Sequence, residues 1–168
     1  TMRLRGTTGN QALRSDLARE LSEELQEVRN LPCETTDGIP VPLFINTGLV
    51  SEINRPAPED AAGIGLYRTE LPFMVRDRFP GESVQILNYR KVLEAFSPRP
   101  VTIRTLDING DKALANNNGV HETNPALGLR AIRYCLRKPE VFNTQLRAIL
   151  RAAVHGNVRI LFPMISAC

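Results

Sequence analysis

Two arginines stand at the ends of apolar runs in this 168-residue chain. The run Gly63-Ile64-Gly65-Leu66-Tyr67 stops abruptly at Arg68-Thr69-Glu70, and Arg104 lies in the second half of Val101-Thr102-Ile103-Arg104-Thr105-Leu106. A guanidinium keeps its charge at any working pH, and its fork matches phosphate or carboxylate oxygens. In parallel α/β sheets the loops at the carboxyl ends of the strands converge on one face, so Arg68 and Arg104 could reach one anion pocket. Lys112, after the turn Asn109-Gly110-Asp111, and Arg130, in the first turns of a helix expected behind Asn124-Pro125, could add positive charge there. The plainer alternative is that each arginine pairs with a nearby acid such as Glu70 or Asp107 and that Lys112 and Arg130 are surface charge. Spacing alone leaves both open. His121 and His155 are too far apart for a helix-borne ligand pair and read as loop or helix-end positions. No catalytic residue and no metal ligand is assigned.

The elements that must position these residues follow from periodicity. Leu13, Leu17, Leu21, Leu25 and Val28 recur at helical spacing over residues 12–29, and Leu31-Pro32 breaks that helix. Thr35-Thr36-Asp37-Gly38 has turn composition. A strand is expected over 42–46, a second over 63–67 and a third, alternating in period two, over 101–106. Between the last two, a helix beginning near Ser83 presents Ile86, Tyr89, Leu93 and Phe96 inward, and Pro98 and Pro100 close it. Asn124 caps a helix running to about Arg137. Pro139 starts another that buries Phe142, Leu146, Leu150 and Ala153 and ends at Gly156. Val158 to Phe162 is the last strand. The order helix, strand, strand, helix, strand, two helices, strand points to an α/β fold with parallel strands joined by right-handed crossovers.

Composition narrows the function classes. Hydrophobic residues make up 42% and charged residues 23%, ordinary globular usage that predicts a soluble protein. No run approaches the roughly 18 apolar residues of a membrane span, and no secretory leader is visible at the N-terminus, so the expected location is the cytoplasm and no membrane partner is expected. Cys33, Cys135 and Cys168 are three widely spaced thiols, which suits a reduced compartment. The net charge of +3 is carried by arginines scattered among carboxylates, with no Trp for base stacking, so nucleic acid is not an expected partner.

Four ordered motifs make the chain recognisable. They are Gly63-Ile64-Gly65-Leu66-Tyr67-Arg68-Thr69-Glu70, the stretch Arg104 to Lys112, Asn124 to Arg130, and Gln145-Leu146-Arg147-Ala148-Ile149-Leu150-Arg151-Ala152. From about Leu31 to Ser166 the chain resembles the phosphoenolpyruvate-protein phosphotransferases, the enzyme I family of the phosphotransferase system. Leu71-Pro72-Phe73-Met74 is similar to the nitrogen-branch type, and Asp111-Lys112 is more typical of enzyme I than of pyruvate phosphate dikinase or phosphoenolpyruvate synthase. The resemblance implies residues 1–30 as a linker helix and residues 31–168 as the first half of a (β/α)8 TIM barrel that binds phosphoenolpyruvate (PEP). Arg68 and Arg104 match the arginines that hold the substrate phosphate, and Lys112 and Arg130 match further basic residues of that site. In the family Mg2+ is the cofactor, and the phosphoryl group passes to a histidine on a swivelling domain and on to a phosphocarrier protein.

The sequence departs from that pattern at Asn109-Gly110, where the family has paired glycines, at Thr123, where it has an acid, and at Pro56 and Pro58 in the expected first barrel helix. The family's metal-binding glutamate, Asn-Asp pair and proton-donating cysteine would fall beyond Cys168, so no cofactor is expected for this stretch alone. Two further expectations follow: the first and last strands are unpaired edges that favour self-association, and transfer of phosphate requires the full-length protein. The competing reading is a non-catalytic phospho-acid binding or protein-interaction module.

Overall fold

The structure, a computed structural model, describes residues 31–48, 61–74, 79–108, 124 and 127–166. The helix expected over 12–29, and the turn residues and loop from Asn109 to Thr123 that include Lys112 and His121, lie outside the described residues. The chain divides into two compact units, Thr1–Pro42 and Leu43–Cys168. In the first, residues 33–41 fold back on themselves. Thr35 donates its backbone N–H to Ile39 O at 2.9 Å, Glu34 bridges Pro40 antiparallel, and the Thr35 hydroxyl bonds the Asp37 carboxylate. Gly38, at φ +82°, supplies the left-handed residue that this turn needs.

The second unit is built on a parallel sheet in the order β1-β2-β3-β4, comprising β1 (Phe44–Thr47), β2 (Gly63–Arg68), β3 (Val101–Arg104) and β4 (Val158–Leu161). Helices α1 (Glu70–Met74) and α2 (Glu82–Phe96) lie between β2 and β3 in the chain. Helices α3 (Ala131–Arg137) and α4 (Pro139–Ala152) lie between β3 and β4. The alternation of helix and parallel strand is the expected α/β class, and β1 and β4 are the two edges among the described strands.

Period two in β3 sends Val101 and Ile103 to one face, a register shift between Ile64 and Tyr67 in β2 brings both of those to the same face, and Tyr89, Val92, Leu93 and Phe96 of α2 and Ala148, Ile149 and Ala152 of α4 bury them. The other face carries Arg68, Arg104 and Arg159, and it is exposed at Phe44 and Leu161. Gly63 starts β2 because nothing larger fits. At φ +150°, a Cβ there would stand 2.2 Å from Pro100 O, the oxygen that accepts the Ile64 N–H at 2.9 Å. At the helix layer, Glu82 of α2 takes Arg147 and Arg151 of α4 at 2.9 and 2.6 Å, so the two arginines of the fourth motif serve an exposed interhelical contact.

Several boundaries and faces differ from expectation. Strand β3 ends at Arg104 rather than 106, because Leu106 N–H turns to a side chain of α4. Helix α3 begins at Ala131 rather than at Asn124, and Leu127 N–H bonds Asn124 O in a turn. Arg130 is therefore the residue before the helix, not a member of its first turns. The inner face of α4 is Gln145, Ala148, Ile149 and Ala152, whereas Leu150 is 62% exposed. The large apolar residues pointed to the wrong stripe. Two alanines let α4 approach the sheet closely, and Ala carries too little hydrophobic signal to compete with Leu in a periodicity count.

Candidate anion site at the strand ends

Arg68 and Arg104 are direct register partners across the parallel β2-β3 pair. Neighbouring strands run about 4.8 Å apart, and register partners project from the same face, so the two side chains start side by side. Arg104 is partly buried and engaged. Its Nη2 and Nε donate to the same oxygen of Glu70, at 2.8 and 3.2 Å, and its Nη1 stands 3.3 Å from Asp107. The other carboxylate oxygen of Asp107 accepts from Nε and Nη2 of Arg130 at 3.0 and 2.8 Å. Glu70 and Asp107 each retain 11% side-chain exposure, so the chain Glu70, Arg104, Asp107, Arg130 is held at the edge of the protein interior. Arg68 is exposed and has no ion-pair partner among the described residues.

Local structure explains the placement. Glu70 opens α1 one residue beyond Thr69, and the first turn of a helix favours a carboxylate. Asp107 and Leu106 follow β3, where a second cluster of Phe73, Leu106, Ile108, Tyr134 and Cys135 seals the ends of the strands. Arg130 is extended at φ −142°, ψ 170°, and Ala131 behind it has φ +51°. A left-handed alanine costs about 1–2 kcal/mol. Here it turns the chain sharply from Arg130 into a helix whose first residue is buried. In that apolar cluster burial, helped by the Asp107 charge, pushes the Cys135 thiol up to about 11, so it stays protonated near neutral pH.

Both readings open at the sequence level therefore have a part of this geometry. Arg104 and Arg130 are paired with acids, as the plainer alternative required, while Arg68, Arg104 and Arg130 gather at the same strand ends. Arg68, Arg104 and Arg130 against Glu70 and Asp107 leave one net positive charge, and the exposed Arg68 presents it. Asp107 and Glu70 entered the sequence reading only as possible partners. Thr69 and Gln145, which lie behind the site, were not singled out, and only their places inside two of the four motifs marked them. The described residues do not assemble a magnesium site. They contain no group of three His, Cys, Asp or Glu residues able to hold a metal, and the two carboxylates nearest the arginines are engaged by guanidinium.

A parallel α/β sheet with basic residues collected at the carboxyl ends of adjacent strands is an architecture of the class whose ligand sites lie outside those ends. The chain belongs to the PEP-utilising enzymes, matching the family described as "PEP-utilising enzyme, PEP-binding domain" over residues 22–168. It is 46% identical over 147 residues to a phosphoenolpyruvate-protein phosphotransferase of Staphylococcus epidermidis, covering 88% of this chain and 26% of that relative. The phosphotransferase of Staphylococcus aureus is 46% identical over 144 residues, 86% of this chain and 25% of the relative. That of Bacillus sp. strain S is 49% identical over 132 residues, 79% and 23%. The chain thus spans about a quarter of the length of these curated relatives.

Proposed function

We propose that this chain is the PEP-binding part of a phosphoenolpyruvate-dependent protein phosphotransferase, in which Arg68 and Arg104 hold the substrate's phosphate and Arg130 and Lys112 add charge. The observation that carries the reading is the register of Arg68 against Arg104 at the ends of adjacent parallel strands, in a chain of this family. A dense anion needs fixed cationic groups both to bind and to stabilise charge as the phosphoryl group leaves. Arg68 makes the first contact because its charge is uncompensated among the described residues. Arg104 then exchanges part of its hold on Glu70 and Asp107 for phosphate oxygens.

In the whole protein the phosphoryl group would go to a protein histidine and then to a phosphocarrier protein, with Mg2+ bound by residues other than those described. The four strands would be half of a TIM barrel that occupies residues 31–168, with residues 1–30 a linker helix. The nitrogen-branch type and a cytoplasmic setting belong to the same proposal. Among the described residues no helix is long and apolar enough to cross a membrane. The edges β1 and β4 would pair with further strands, and on their own favour self-association.

Calorimetric titration with PEP, with and without Mg2+, tests the reading. Saturable binding is expected, lost in Arg68→Ala, a substitution at an exposed position that leaves the core intact. Absence of binding, or equal affinity in Arg68→Ala, overturns it.

A further inference from the structure

The fourth motif begins with Gln145, and its side chain is 1% exposed in the middle of the helix layer. A buried amide must find partners for two N–H donors and its oxygen. Gln145 does so by joining the ends of two strands. Its Oε1 accepts the backbone N–H of Leu106 at 2.9 Å, and its Nε2 donates to the Thr69 hydroxyl at 3.1 Å and to the Tyr89 hydroxyl at 3.2 Å. The hydroxyls pass the bonds on in one direction. Thr69 donates to Arg104 O at 3.0 Å, and Tyr89 donates to Gln85 Oε1 at 3.0 Å, while Gln85 Nε2 donates to Pro80 O at 2.8 Å.

The residues held are the ones that flank the charges. Thr69 lies between Arg68 and Glu70, and Leu106 precedes Asp107 and stands two residues after Arg104. We propose that Gln145 is a positioning residue of the anion site, acting from the helix layer to fix the ends of β2 and β3 relative to one another. Through Thr69 it also fixes the Arg104 carbonyl. The proposal rests on the anion-binding reading given above for what the site holds, but the hold itself can be measured without a ligand. Its polarity is specific: a glutamate has the shape of Gln145 but no donor for Thr69 or Tyr89. Those hydroxyls would have to turn toward it and abandon Arg104 O and Gln85.

The test uses this chain with Gln145→Leu, Gln145→Glu, Thr69→Val, Thr69→Ser and the control Gln85→Leu, which loses buried hydrogen bonds without releasing either strand end. Amide hydrogen exchange of Leu106, referred to core amides such as Ile103, is expected to quicken about tenfold or more in Gln145→Leu, which loses the acceptor, and neither in Gln145→Glu, which keeps it, nor in Gln85→Leu. PEP affinity, measured by calorimetry, is expected to weaken about tenfold in the Gln145 variants and in Thr69→Val, to recover in Thr69→Ser, and to stay within about twofold in Gln85→Leu. The Thr69 pair carries the test if a Gln145 variant fails to fold.

Leu106 protection unchanged in Gln145→Leu overturns the proposal, and so does an affinity loss in Gln85→Leu equal to that of the Gln145 variants. Full affinity in Thr69→Val does the same. If the wild-type chain binds no PEP while Leu106 loses protection only in Gln145→Leu, the ligand assignment falls and the hold on the strand ends stands. If the wild type binds and the Gln145 variants bind equally well, the positioning role falls and the ligand assignment stands.

Discussion

Replacing Glu70 with Gln is expected to move stability and anion affinity in opposite directions. Glu70 accepts two bonds from Arg104 on one oxygen while retaining 11% of its side-chain exposure. Gln keeps an acceptor of the same shape but removes the charge. A hydrogen bond involving a charged group contributes about 1.5–3 kcal/mol and a neutral one about 1, and because Arg104 keeps its charge the folded state should lose at most about 0.5–2 kcal/mol. The same change raises the net charge of Arg68, Arg104, Arg130, Glu70 and Asp107 from one positive to two. At about 6 Å from a bound phosphate, one charge in a medium of effective dielectric between about 20 and 80 is worth about 1–3 kcal/mol. Every 1.4 kcal/mol is tenfold in affinity, so PEP should bind about tenfold more tightly. Urea unfolding reads the first quantity and calorimetric titration the second, at matched ionic strength because exposed charge is screened by salt. An affinity that falls along with stability would mean that Glu70 orients Arg104 for the ligand and does not compete with it, and the competitive account of this site would be wrong.

Gly63→Ala should cost about 3 kcal/mol or more in urea unfolding, since φ +150° and a backbone oxygen 2.2 Å from the new Cβ both oppose it; a midpoint like that of wild type would show that the start of β2 can shift. Ala131→Gly should cost nothing or stabilise slightly, against the about 1 kcal/mol that glycine costs in a helix interior, because glycine removes the strain at φ +51°. Stability should fall with rising pH from about 9 to about 11. The Cys135 thiol ionises near its ordinary value in the unfolded chain and only at about 11 in the folded one, so its contribution, on the order of 2–3 kcal/mol, is complete below about pH 9 and lost progressively as the pH rises through about 11. Tyr67, pushed up to about 12 by burial, should continue the decline above pH 10. Urea midpoints from pH 8 to 10.5 measure this, and Cys135→Ala should show the shallower slope.

Periodicity found the fold class because burial on one face is what it detects. Tyr89, Leu93 and Phe96 stand on the buried side of α2 where their spacing put them, and β2 and β3 begin at Gly63 and Val101. It failed where the burying residues are small or polar. Ala148, Ala152 and Gln145 line α4 in place of Leu146 and Leu150, and nothing in a local window tells a buried glutamine from a solvated one. The end of β3 was misplaced for the same reason. Thr105 N–H still reaches Leu161 O at 2.9 Å, but Leu106 N–H is taken by Gln145, 39 residues away. Arg68 and Arg104 were legible from their places after apolar runs, whereas the Arg104, Asp107, Arg130 chain needs the turn at Ala131, which propensity argues against.

The compensation of charge within the site has a consequence for how it can work. Three guanidinium groups gathered without acids would repel one another and weaken the fold, and Glu70 and Asp107 relieve that at Arg104 and Arg130. Relief of this kind also sets a threshold for ligands. An anion must offer more than the carboxylates it replaces, and a doubly charged phosphate offers two charges and several acceptor oxygens where each carboxylate offers one charge and two oxygens. Under the proposed function Arg68, uncompensated among the described residues, would attract any anion, but only a phosphate-like group would gain enough from Arg104 to loosen Glu70. Selectivity for a phosphorylated acid over a simple carboxylate would then come from the acids of the site as much as from its arginines. It is retained only while the ends of β2 and β3 stay in register, because a guanidinium displaced by an ångström loses the paired contacts on which the exchange depends.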